Sequence, residues 1–178
     1  MRYEKKRMLV LFLITLVVAS VSLANAPLTT VQVDLERYQG TWYEIARLPL
    51  FWERTLVNVT ATYSLREDGK ITVLNAGKVL SPSGLNSSVK GLAWVPDSSE
   101  TGKLKVQFFS AFSSDYWVLD LDQQGYSWAI VGQPDRTFLW ILSRTPQMDE
   151  ELYAHLVQKV EQMGFNLEKL EKVLQQYD

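Results

Sequence analysis

Cysteine is missing from the whole of this 178-residue chain. Its absence excludes disulfides and thiol catalysis, so the fold has to stand on its apolar core alone. Histidine is nearly missing too, and a solitary His155 cannot build a His-based triad or a metal cluster. It sits beside a helical stripe, which points to a surface or packing role. Nor is there an excess of positive charge. With 18 basic and 20 acidic side chains the formal charge is -2, which offers nothing to hold nucleic acid.

What is present is an ordinary globular balance, 47% hydrophobic, with one apolar run that stands apart. Arg2, Lys5, Lys6 and Arg7 precede the stretch from Met8 to Leu23, and Ala24-Asn25-Ala26 follows it, the layout of a secretory signal peptide. Residues 1–26 are therefore set aside as a signal peptide, or as an uncleaved membrane anchor, since the run is at the short end for a spanning helix. Cleavage after Ala24 and cleavage after Ala26 both fit, the latter leaving Pro27 at the new terminus. Residues 27–178 are enough for a single core. The expected location is outside the cytoplasm, and no cysteine follows the leader to carry a lipid.

The mature chain is organised around Gly40-Thr41-Trp42-Tyr43-Glu44-Ile45-Ala46-Arg47. Before it, Asp34 is placed to cap a short helical turn with Leu35 and Tyr38 on its apolar side, and Gly40 ends that turn. Strand alternation then puts Trp42, Glu44 and Ala46 on one face and Tyr43, Ile45 and Arg47 on the other. From Val57 to Ser143 the chain is a series of short β-rich runs separated by turn-forming stretches such as Arg66-Glu67-Asp68-Gly69-Lys70 and Asp122-Gln123-Gln124-Gly125. Eight such strands joined by hairpins can close into an up-and-down barrel with no exposed edge. After Pro146 the period changes. Leu152, Leu156, Val160 and Met163 form one helical stripe, with Asp149, Glu150 and Glu151 at its N-terminal end and Gly164 as its stop. The charged last segment, Leu167 to Leu174, is capped by Asn166 and reads as a solvated face.

This order resembles the lipocalin family: a helical turn, Gly-x-Trp at Gly40 and Trp42, eight hairpin-linked strands, Arg144 after the last strand, then one helix. The stretch from Gly132 to Pro146 sharpens the likeness toward the bacterial and apolipoprotein D-like members. The family's middle motif is matched only at its acidic residue, in Leu121-Asp122-Gln123. The resemblance implies an all-β fold, an eight-stranded antiparallel up-and-down barrel with one C-terminal α-helix packed outside. It also implies that Trp42 plugs the closed end and that Arg144 packs across it, with Gly40 in the same motif. It implies a carrier or storage protein of the cell envelope for fatty acids or lysophospholipids, serving membrane maintenance, with outer-membrane or periplasmic association and an option to pair with itself. The missing cysteine departs from the lipid-anchored bacterial members.

If Trp42 faces inward, alternation predicts a lining of Glu44, Ala46, Val59, Ala61, Tyr63, Ile71, Val73, Asn75, Gly91, Ala93, Leu104, Val106, Phe108, Tyr116, Val118, Ala129, Phe138, Trp140 and Leu142. Small residues at Ala61, Gly91, Ala93 and Ala129 would keep space open, and apolar walls with few polar groups suit an acyl chain. No cofactor, metal site or catalytic residue is expected. Two other classes compete. One is a lipocalin-fold enzyme using Glu44 or Asp120 as general acid or base, and the other is a ligand-free interaction module with a filled core.

Overall fold

The computed structural model describes residues 26–48, 51, 53–109 and 112–176, so the leader region before Ala26 lies outside the described residues. Asp34 caps α1 (Leu35–Tyr38) by accepting from the amides of Glu36 and Arg37. At Gly40 the backbone has φ of +91°, a conformation that turns the chain out of the helix and that a side chain would strain.

The strands that follow are β1 (Gly40–Arg47), β2 (Leu56–Leu65), β3 (Ile71–Val79), β4 (Asn86–Trp94), β5 (Lys103–Phe109), β6 (Phe112–Leu121), β7 (Trp128–Gly132) and β8 (Leu139–Ser143). Each pairs antiparallel with the next, β8 pairs with β1, and β1 pairs with β2, so the sheet closes into an eight-stranded barrel. Several strands run further than composition suggests. β3 continues through Gly77 to Val79, and β4 begins at Asn86 inside the serine-rich stretch, because those residues find ladder partners in one another, Gly77 against Ser87 and Lys78 against Asn86.

Outside the barrel lies α2 (Glu150–Gln162), with Asp149 accepting from the amides of Glu151 and Leu152 at 3.0 Å each. Its stripe buries Leu156 and Val160 completely against Leu119, Ile130, Leu139 and Ile141 on the outward strand faces. Full burial of one such aliphatic side chain is worth about 1.5–3 kcal/mol. Gly164, at φ of +82°, stops the helix and lets Phe165 turn back into the same cluster.

The last segment departs from expectation. Asn166 caps only a single 3-10 turn, Leu167–Lys169, after which the chain extends as β9 (Glu171–Lys172) and pairs with β1. The reason is an open seam. β1 pairs with β2 only over Gly40–Tyr43, and beyond a bulge at Asn58, where φ is +51°, the two strands part. The tail fills the gap: Gln175 donates to the carbonyls of Glu44 and Val59 at 2.8 Å each. Asn58 and Gln176 meanwhile exchange two hydrogen bonds. Backbone groups that would otherwise lack partners are thereby satisfied.

Candidate binding site in the barrel

Because β1 leaves the closed end, the β1–β2, β3–β4, β5–β6 and β7–β8 connections all lie at the opposite end, the mouth. At the closed end Trp42 is fully buried, its indole N–H donates to the Tyr38 carbonyl at 2.9 Å, and the Tyr38 ring lies 4.8 Å away. The Arg144 guanidinium sits 3.9 Å from the Trp42 ring centre. It donates to the carbonyls of Tyr126, Thr41 and Arg37 at 3.2, 3.1 and 2.8 Å, tying together the β6–β7 turn, β1 and α1. A side chain at Gly40 would meet Arg144 Nη1 at 3.3 Å, so it would press on the clamp as well as strain the backbone. The motif that matched weakly in sequence is well determined in space. Asp122 accepts from the amides of Gln124, Gly125 and Ser127 and from the Ser127 hydroxyl, and these bonds pull its carboxyl down to about 2.

Above this plug the lumen is lined from all eight strands. Register puts Ala61 opposite Trp42 and Asn75, Tyr63 opposite Val73, Ala93 opposite Val106, and Tyr116 opposite Leu104. Of the predicted lining, Tyr63, Val73, Ala93 and Val118 are buried in the inner cluster, and Ala61, Val106, Phe108, Tyr116 and Trp140 pack partly buried against it. Phe138 stacks on Trp140 with ring centres 6.2 Å apart, Val59 is buried near Gly77, and Asn75 has an Oδ1 that is buried without a partner. Glu44 is buried beside Tyr63, whose phenol its charge helps to push up.

Three tyrosine hydroxyls meet in this inner cluster. Tyr116 bonds Tyr38 at 2.9 Å and Tyr63 at 2.8 Å. Three hydroxyls carry three protons and two contacts use two of them, so one O–H remains able to donate to a guest in the lumen. Burial holds all three phenols protonated.

Two expected positions are corrected. Ala46 does not face the lumen: a bulge in β1 between Glu44 and Ala46 pairs Ala46 with Ile141 and places it in the outer cluster under α2. The extra residue flips the parity, so Arg47, expected outside, turns inward opposite Trp140 and is buried. Asp120 is not in the lumen either. A bulge between Val118 and Asp120 turns it outward, where Lys159 of α2 pairs with it at 2.6 Å, and Leu121 takes the inward place. His155 is exposed on α2.

Arg47 reorganises the mouth. Its Nη1 donates to Glu44 Oε1 at 2.9 Å, and Nη2 reaches the carbonyls of Glu53 and Leu56, so it ties the end of β1 to Glu53 and to the start of β2. Trp140 hydrogen-bonds the Glu53 side chain. Two carboxyls thus share one buried guanidinium. Burial, and then the neighbouring Glu53, push the Glu44 carboxyl up to about 8 against the pull of Arg47, and Glu53 is raised by its own burial. Arg47 Nε and Glu53 Oε2 have no hydrogen-bond partner. Sequence reading missed Arg47 and Glu53 because neither a bulge nor a loop folded back over the mouth leaves a mark on alternation. Among the described residues no group of three acidic or histidine side chains could hold a metal ion, and no helix is long and apolar enough to cross a membrane.

The comparisons agree with this geometry. The chain matches the lipocalin-like domain family over residues 33–175. It is 42% identical over 152 residues to temperature-induced lipocalin-1 of Arabidopsis thaliana, covering 80% of each chain. Outer membrane lipoprotein Blc of Escherichia coli K12 is 43% identical over 137 residues, with 76% of each covered. Apolipoprotein D of Mus musculus is 37% identical over 145 residues, covering 77% of this chain and 74% of that one. Among solved structures, insecticyanin from Manduca sexta superposes with a TM-score of 0.64 at 24% identity, covering 86% of each chain, which speaks for the fold alone. Barrel topology, the plugged and clamped closed end and the match over residues 33–175 lead to one assignment: this chain belongs to the lipocalins, a family that binds small hydrophobic ligands.

Proposed function

We propose that the protein is a non-catalytic carrier of the cell envelope that holds one acyl-chain lipid, a fatty acid or lysophospholipid, in the lumen. The observation that carries this reading is that inward-facing Ala61, Val106, Phe108, Tyr116 and Trp140 are only partly buried although they point into the barrel. A filled core would bury them fully, so their residual exposure speaks for open space with apolar walls. Each methylene drawn from water into such a space contributes about 0.8 kcal/mol, enough to retain a long chain without a covalent bond. The spare tyrosine O–H is the polar group that supports orientation of the guest. Asp120 lies outside and Glu44 is engaged by Arg47, which removes the two acid-base candidates from free access to a substrate.

The similarity to outer membrane lipoproteins named Blc supports an envelope location, while the missing cysteine speaks for a protein released by gentle osmotic extraction. Ala93→Trp or Ala61→Trp should block uptake of a fluorescent fatty acid in solution without disturbing the outer faces. Unchanged affinity in a folded variant would overturn the assignment of the lumen. Native mass spectrometry after lipid extraction distinguishes a fatty acid from a lysophospholipid.

A further inference from the structure

Among the described residues, the large apolar side chains left most exposed are Phe51, Leu80, Leu85, Phe109 and Phe112, each between 74% and 85% accessible. All five lie in the β1–β2, β3–β4 and β5–β6 connections or at the strand ends beside them, around the mouth. They are spread over three separate hairpins and form a ring, whereas a protein partner is met by a contiguous patch. From the surface of the barrel we infer that this ring is a membrane-docking rim, and that the protein sits mouth-down on a lipid bilayer with the lumen opening into it. The inference rests on the carrier reading and adds where the guest is loaded.

Three observations favour a lipid surface over other occupants. The connections from Leu80 to Leu85 and from Phe109 to Phe112 contain no charged residue, and the other two mouth connections carry one charge of each sign, Glu53 with Arg54 and Asp135 with Arg136, so the mouth is neutral overall. The opposite end is acidic. Its three connections hold Glu67, Asp68, Asp97, Glu100 and Asp122 against Arg66 and Lys70, so an anionic surface repels the base and leaves the neutral rim as the end that can approach. The chain also enters the described structure at the mouth: Arg136, in the β7–β8 connection, donates to the carbonyls of Met163 and Ala26. The apolar run from Met8 to Leu23 immediately precedes that point in the sequence.

The native lack of cysteine makes a direct test available. In the exported protein as purified from cells, Leu85→Cys at the rim and Glu67→Cys at the base each take one environment-sensitive fluorophore. Vesicles of phosphatidylcholine, with and without phosphatidylglycerol, are then added. The rim label should shift to the blue and the base label should not. The pair Phe109→Ser and Phe112→Ser should lower vesicle co-sedimentation by about tenfold or more, since each lost ring forfeits apolar burial. Leu74→Ser on the outward face of β3 should leave it unchanged. Solution binding of the fluorescent fatty acid should persist in the rim variant. No blue shift, equal shifts at both ends, or a rim that mediates pairing of two copies without vesicle binding would each overturn the docking proposal. Loss of fatty-acid binding with docking intact would instead remove the carrier reading alone.

Discussion

At the base of the barrel Arg144 uses all three guanidinium nitrogens, Trp42 has its carbonyl, and Asp122 accepts four hydrogen bonds. At the mouth the same kinds of group are left wanting. Arg47 Nε and Glu53 Oε2 are buried without partners, two carboxyls crowd one guanidinium, and five large apolar side chains face outward. Buried polar groups without partners lower stability, and exposed apolar surface lowers solubility, so a fold selected only for stability would not keep them. The difference separates duties. One end holds the eight strands together, and the other carries the groups that the proposed ligand and surface would meet.

Trp42→Ala should break the comparison most deeply, costing about 3–5 kcal/mol, because a fully buried indole leaves a cavity that Arg144 and Tyr38 cannot fill. Denaturant unfolding reads this, and a loss well below that range would mean the base repacks. Arg144→Ala is smaller, about 1–3 kcal/mol, through lost stacking and three carbonyls left without their donor. An equally stable variant would show that the clamp contributes nothing beyond what water supplies.

The third prediction moves to the mouth and to pH. An unfolded glutamate titrates near about 4.3, whereas burial raises folded Glu44 to about 8, so between these values the folded state keeps a proton that the unfolded state has released. Stability therefore falls as pH rises through that window. Glu44→Gln should flatten the slope, which urea midpoints at pH 5 and pH 8 would reveal. Parallel slopes in both proteins would assign the dependence elsewhere. Smallest of all, Phe112→Ser should change stability by no more than about 0.5 kcal/mol, because a side chain already in water loses little. A larger loss would show the rim to be part of the core.

The parts of this molecule legible in sequence are those written by local periodicity. Val57 to Leu65 alternates strictly and pairs as β2, the stripe through Leu156 and Val160 packs as α2, and Asp34 and Asn166 cap the turns they precede. Much of the inward-facing cluster follows from the same alternation, including Tyr63, Val73, Ala93 and Val118. The family likeness rests on Gly40 and Trp42 taken together with Arg144 and the count of strands between them.

By itself, then, the sequence determined the run of strands and the helix outside, because each depends on a two-residue or 3.6-residue period that a short stretch can hold, while the plugged base came from the likeness of Gly40, Trp42 and Arg144 to the lipocalin motifs. Only the tertiary structure decided which way Ala46, Arg47, Asp120 and Leu121 face, since a bulge exists only where two strands disagree in length and is invisible along one of them. It also decided the tyrosine chain, the Arg47 latch and the tail laid into the seam beside Asn58. Those contacts join residues as far as 131 positions apart, and no local pattern records the neighbour that makes each group worth burying.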